Sequence, residues 1–140
     1  MSAQDDQLTH AIGVHRTYAA AHTLASPDLS DEENRRIYGK CAHPHGHGHD
    51  YRFEFVVSAR TLTNGVVMPR NELLALIDRY VTPEFDRRNL NETVGRDAVT
   101  SGENLVQAAW ELLAPHLPPP TTLQVRLQET RKNSFCYPPD

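Results

Sequence analysis

Residues 51–59 alternate almost without a fault. Tyr51, Phe53, Phe55, Val57 and Ala59 fall on one side, and Arg52, Glu54 and Ser58, followed by Arg60, mostly on the other. Successive side chains of a strand point to opposite faces, so the pattern predicts a half-buried antiparallel strand. Such a strand needs a core against one face and water against the other. The same phase runs back into the preceding residues. His47 and His49 lie two apart and in step with Tyr51 and Phe53, so both imidazoles are expected on the buried side.

Alternation returns at Leu123, Val125 and Leu127, set against Gln124, Arg126 and Gln128, and predicts another strand. Residues 12–21 read as a first strand with small residues at its end. Residues 134–137 read as a last short strand after a turn at Arg131-Lys132, and Asn64-Gly65 marks a further turn. Elsewhere the period changes. Leu73, Leu74, Ile77 and Val81 share one helical face, which Pro83 ends nearby. Leu105, Ala108, Ala109, Leu112 and Leu113 share another, with a capping box expected from Thr100 to Glu103, and Pro115 and Pro118-Pro119-Pro120 closing it. Residues 26–40 read as a long excursion with one helical turn at 31–36. The resulting order, β-β-α-α-β-β, is an α+β fold with helices on one face of an antiparallel sheet. The 140 residues suit a single domain, 1–140, with 1–10 as a flexible N-terminus and a core that needs no disulfides.

Composition narrows the partners. At 39% hydrophobic and 23% charged the chain reads as an ordinary soluble globular protein. A net charge of −4 carries no basic footprint for nucleic acid, although a local pocket for a small anion is compatible with it. Residues 1–8 are polar and acidic, so no signal peptide is expected, and no apolar run is long enough to span a membrane. Two cysteines, Cys41 and Cys136, are too few for a disulfide scaffold and fit a reducing cytoplasm.

Eight histidines are unevenly spread, with His43, His45, His47 and His49 within seven positions. Two imidazoles on one side of a strand can grip one metal ion, and His22, closing the first strand after three alanines, is the candidate third ligand. Three histidines with an open fourth position are the pattern of catalytic zinc; structural zinc prefers four closed ligands, usually thiolates. A bare His-Gly-His also occurs in surface histidine tracts, and the strand phase is what favours zinc here.

The motifs Ala20-Ala21-His22, Leu29-Ser30-Asp31-Glu32-Glu33-Asn34, Gly39-Lys40-Cys41 and His47-Gly48-His49-Asp50-Tyr51 follow one another in order. Gly65-Val66-Val67-Met68, Asn89-Leu90-Asn91, Glu103-Asn104 and Glu129-Thr130 continue the series. From about Val14 to Tyr137 the chain resembles the 6-pyruvoyl-tetrahydropterin synthase family. The resemblance implies the tunnelling fold, in which trimers close a barrel and two trimers stack into a homohexamer with sites between subunits. It implies Zn2+ on His22, His47 and His49, and a small-molecule reduced pterin, 7,8-dihydroneopterin triphosphate, converted to 6-pyruvoyl-tetrahydropterin with loss of triphosphate. Cys41 lies six residues before His47, which resembles the pyruvoyl synthases. In the related 6-carboxy-tetrahydropterin synthases of the queuosine pathway the cysteine sits four before, where this chain has His43.

Such a reaction needs a base for a carbon-bound proton and an electrophile for the developing charge. The resemblance makes Cys41 the base; on pattern alone a lone cysteine is more often a small buried hydrophobe. It pairs Cys41 with an Asp-His unit after the first helix, but here the segment reads Asp86-Arg87. Arginine stays protonated and cannot relay protons at neutral pH. Arg87 is therefore expected to lower the Cys41 pKa or hold a phosphate, with His43 or His45 taking over the relay, or else to form an ion pair with Asp86 at a helix end. A homologue with altered catalysis is the third reading. Glu129 continues the apolar phase of Leu123, Val125 and Leu127, so it needs a partner, structural or otherwise. The resemblance makes it the pterin anchor, assisted by Glu103 and Ser101, and Gly102 in place of a family threonine predicts a looser pocket.

Overall fold

The computed structural model describes residues 9–42, 46–95 and 98–140. Strand β1 (His10–His22) is followed by helix α1 (Asp31–Tyr38), a 3-10 turn (Gly39–Ala42) and β2 (His47–Ala59). Helices α2 (Arg70–Tyr80), α3 (Thr82–Phe85) and α4 (Gly102–Leu113) then precede β3 (Thr122–Thr130) and β4 (Asn133–Tyr137). The strands form one antiparallel sheet in the order β1-β2-β3-β4. Among the described residues three helices have eight residues or more, and α3 is a single turn. No helix among the described residues is long and apolar enough to cross a membrane.

The alternation of β2 sets the layers. Tyr51, Phe53, Phe55 and Val57 are fully buried, and Val14, Tyr18, Leu123, Val125 and Leu127 join them from β1 and β3. Onto this face α2 lays Leu73 and Ile77, and α4 lays Leu105, Val106, Ala109 and Leu113. Each fully buried side chain of this size contributes roughly 1.5–3 kcal/mol. On the opposite face Thr17, Arg52, Arg126 and Gln128 are exposed.

Three local expectations shift. The turn at 31–36 is a helix of eight residues, because its polar sequence caps itself. Ser30 accepts from the Glu33 N–H, Asp31, Glu32 and Glu33 occupy the positive end, and Arg35 and Arg36 the negative end. Pro83 stands at the start of α3 rather than merely ending α2, since its missing N–H costs nothing in a first turn. The cap of α4 is Ser101, not Thr100: the Ser101 hydroxyl accepts from the Asn104 N–H at 3.3 Å, while Thr100 is fully buried. The turn at Asn64-Gly65 stands as expected, with φ of 54° and 82°.

A polar chain fixes the start of the segment 86–91. Arg16 grips Asp78 of α2 through two hydrogen bonds of 2.9 and 2.8 Å, Asp78 accepts from the Thr82 hydroxyl at 3.0 Å, and Tyr18 shares a 2.8 Å bond with Thr82. Burial pushes the Tyr18 phenol up to about 12. Beyond α3 the chain runs beside β1. The Arg87 N–H donates to the Ala19 carbonyl, Ala21 to Arg88, and Leu90 to Ala21. Asn91 then clamps Thr23 from both sides, its Oδ1 accepting at 2.8 Å and its Nδ2 donating at 2.9 Å.

Candidate metal centre

The far end of the β1–β2 ladder pairs His22 with His47 and Ala20 with His49. Directly opposed residues of an antiparallel pair bring their side chains close. The small Ala20 leaves room for the His49 ring. Gly46 makes the entry possible: its φ is +69°, and a Cβ there would stand 2.8 Å from the His22 carbonyl. The ring centroids of His22 and His47 are 4.7 Å apart, those of His22 and His49 5.1 Å, and those of His47 and His49 4.4 Å. One nitrogen from each of the three lies within 4.8 Å of the others, a group able to hold a metal ion.

The donor atoms fit zinc. His22 Nδ1 is 3.0 Å from the Thr100 carbonyl, which fixes the tautomer and leaves Nε2 with its lone pair. His22 Nε2 is 3.3 Å from His47 Nε2. Two nitrogens bound tetrahedrally at ~2.0–2.1 Å stand about 3.3 Å apart. His47 Nδ1 and His49 Nε2 are buried without a hydrogen-bond partner. Burial, opposed by Thr100 and aided by the other imidazoles, pushes His22 down to about 4; burial also lowers His47 and His49. All three are neutral near pH 7, the state a metal requires.

Glu129, one residue beyond the Arg52–Gln128 pair that ends the β2–β3 ladder, turns into the same cluster. Its Oε1 is 3.3 Å from His49 Nε2 and 3.9 Å from His22 Nε2, and its side chain is 8% exposed. Burial pushes this carboxyl up; His47 opposes the rise and Glu103 adds to it. Glu103 itself is exposed in the first turn of α4, and the Ser101 hydroxyl is engaged as the cap of that helix.

Gly102 does not loosen this region. A Cβ at Gly102 would meet the Phe135 ring at 2.2 Å, so β4 has filled the space with an aromatic face. Cys41 lies past the end of β1, its carbonyl accepting from the Leu24 N–H at 2.7 Å. Burial first, and Glu129 second, push its thiol up, the reverse of the lowering expected from Arg87. The reason is position. Asp86 and Arg87 lie along the outer edge of β1, where Arg87, exposed and at φ 58°, bonds Ala19 through its backbone. No ion pair joins Asp86 to Arg87 among the described residues. His43 and His45 lie outside the described residues.

Two members of the cluster carry no sequence signal as site residues. Thr100 acts through its carbonyl, which leaves no mark in side-chain pattern. Tyr51 reads as core, yet its buried hydroxyl has no partner, and its ring stands edge-on to His22 and His49 with centroids 5.7 and 5.3 Å away.

A family model described as 6-pyruvoyl tetrahydropterin synthase matches residues 11–140. The chain belongs to that family. It is 37% identical over 125 residues to the 6-pyruvoyl tetrahydrobiopterin synthase of Poecilia reticulata, covering 87% of this chain and 85% of the relative. Against the 6-pyruvoyl tetrahydrobiopterin synthase of Homo sapiens the identity is 33% over 124 residues, with 86% of each chain covered. The solved Caenorhabditis elegans 6-pyruvoyl tetrahydropterin synthase superposes with a TM-score of 0.86 at 30% identity, covering 93% of this chain and 95% of that one. The Plasmodium falciparum synthase shares the fold at 13% identity, with a TM-score of 0.64 over 91% of this chain and 96% of its own. In this family member the three histidines, Glu129 and Cys41 are brought to one end of the sheet, and Arg87 lies on the outer edge of β1 beside Ala19.

Proposed function

We propose that this chain is a zinc-dependent lyase that converts 7,8-dihydroneopterin triphosphate to 6-pyruvoyl-tetrahydropterin with release of triphosphate. The observation that carries the reading is the convergence of three neutral imidazoles beside one buried carboxylate in a member of this family. His22, His47 and His49 would hold the ion. What zinc supplies there, when bound, is an electrophile for the side-chain oxygens of the substrate.

The protein's own groups divide the remaining work. Glu129, with Glu103 and Ser101 beside it, accepts the amino and ring N–H of the pterin as a two-point bond that sets the ring's orientation. Cys41 takes the carbon-bound proton. Its thiol is pushed up within one chain, so it needs a cation from elsewhere to act as thiolate. Asp86 and Arg87 supply that environment from an adjoining subunit of a cytoplasmic homohexamer, a dimer of trimers whose sites lie between single-domain subunits. Open edges on β1 and β4 support strand pairing between copies.

The test is one incubation of the zinc-loaded protein with 7,8-dihydroneopterin triphosphate, analysed by mass spectrometry beside Cys41→Ala. The expected outcome is 6-pyruvoyl-tetrahydropterin and triphosphate in equal amounts, with turnover lost in the variant. A 6-carboxy product moves the chain to the queuosine-pathway chemistry. Wild type no faster than Cys41→Ala removes the enzyme reading and leaves a pterin-binding homologue, the result that Arg87 in place of histidine would explain.

A further inference from the structure

The Tyr51 ring packs as a core residue should, but its hydroxyl does not. The side chain is fully buried, and the hydroxyl has no hydrogen-bond partner among the described residues. Tyr18, opposite it on β1, is buried too and shares a 2.8 Å bond with the Thr82 hydroxyl. An unmatched buried hydroxyl costs stability, and phenylalanine would fill the same space without that cost. Packing therefore accounts for the Tyr51 ring and not for its oxygen. Its surroundings are polar. The ring stands edge-on to His22 and His49, with centroids 5.7 and 5.3 Å away. On the other side is β3: Arg52 pairs with Gln128, so the next residues on the two strands, Tyr51 and Glu129, are neighbours on the inward face. Glu129 enters that face at a bulge, because Gln128 pairs with Ser134 and Thr130 with Asn133, leaving Glu129 as the extra residue. Bulges re-aim side chains in this way. The Glu129 side chain is 8% exposed, and its carboxylate accepts no hydrogen bond from the described residues. Its charge acts on the Tyr51 hydroxyl ahead of that of Cys41. A donor without an acceptor thus stands beside an acceptor without a donor.

We propose that Tyr51 is a positioning residue for the pterin anchor, its hydroxyl donating to the Glu129 carboxylate when that carboxylate holds a pterin. The inference rests on the reading of the chain as a pterin-binding protein with Glu129 as the anchor. A carboxylate offers about four lone-pair sites. The amino and ring N–H of a pterin take one on each oxygen and leave the others facing the protein. In a buried site those remaining sites need donors. The Tyr51 O–H supplies one from behind, fixes the plane of the carboxylate and so sets the orientation of the ring. A phenol does this without bringing a positive charge beside three imidazoles that hold a metal only when neutral. In the pterin-free chain the two groups are not hydrogen-bonded, so the bond belongs to the bound state. No proton changes hands.

The experiment uses the full zinc-loaded chain, with 7,8-dihydroneopterin as the probe, and compares wild type, Tyr51→Phe, Glu129→Gln and the double variant. Calorimetry reads pterin binding, thermal unfolding reads stability, and metal analysis reads zinc. Tyr51→Phe is expected to hold as much zinc as wild type and to unfold at a temperature at least as high, since it loses only an unmatched oxygen. It is expected to bind the pterin about tenfold more weakly, as for one lost hydrogen bond to a charged group. Glu129→Gln should weaken binding as well, and adding Tyr51→Phe to it should cost little more, because the hydroxyl acts through that carboxylate. Unchanged pterin affinity in Tyr51→Phe would overturn the assignment. A lower unfolding temperature would overturn it too, by making the hydroxyl part of the fold. Full additivity in the double variant would do the same, because the hydroxyl would then work independently of Glu129. A wild-type chain that does not bind the pterin would sink the functional reading, and this proposal with it.

Discussion

The two ends of the β1–β2 ladder follow one rule and reach opposite results. Towards Ala59, the inward positions carry Val14, Phe53, Phe55 and Val57, and Phe53 and Phe55 stack with centroids 5.9 Å apart at 16°. Towards His47, the same inward positions carry His22, His47 and His49, whose rings meet nearly edge-to-face. The apolar end satisfies itself. The histidine end leaves His47 Nδ1, His49 Nε2 and the Tyr51 hydroxyl buried and unmatched. Unmet buried groups cost stability. One strand pair therefore devotes its apolar half to folding and keeps its polar half for a ligand, with no change in backbone geometry between them.

That contrast predicts a double dissociation. The largest effect is expected from His47→Ala/His49→Ala, which should take metal content from about one ion per chain to nearly none, while circular dichroism and the cooperativity of unfolding persist. Full metal retention in the variant would erase the distinction between the two ends. Phe53→Ala, at the other end, should lower unfolding free energy by about 3–5 kcal/mol in denaturant titrations, with stoichiometric metal in the molecules that remain folded. Metal loss in proportion to stability would show that the ends are not independent. The smallest effect concerns the border between them. Gly102→Thr should cost about 1–3 kcal/mol by driving a Cβ into the Phe135 ring, and Phe135→Val in the same chain should recover most of it. A neutral Gly102→Thr would mean that β4 yields easily.

The sequence carried the strand pair well, because a period of two sustained from Tyr51 to Ala59 fits a strand and does not fit a helix. It carried His22, His47 and His49 for the same reason: in-phase neighbours on paired strands meet if the strands meet. It carried α1 poorly. Ser30, Asp31, Glu32, Glu33, Arg35 and Arg36 are helix-end signals, but the segment buries only Asn34, so no apolar stripe announces its length. The cap of α4 slipped by one because Thr100 and Ser101 offer the same hydroxyl, and burial of Thr100 decides between them. Two contacts were out of reach. The approach of Glu129 to His49 joins the ends of different strands. The fit of Phe135 over Gly102 joins β4 to a helix start. Periodicity reports which side a residue faces, not what it meets there. The rise of the Cys41 thiol was out of reach for a related reason: matching motifs name partners for Cys41 without giving the burial and the Glu129 carboxylate that act on it within this chain.

The strip 87–91 that lies beside β1 has a further consequence. It occupies the outer rim of that strand from Ala19 to Thr23, and among the described residues nothing equivalent accompanies His10–Tyr18. A neighbouring polypeptide sliding along this rim meets free main-chain groups until Tyr18 and then runs into Arg87. The rim thus works as a ruler with a built-in stop. A strand added to this rim would overlap it only as far as Tyr18, short of the imidazoles.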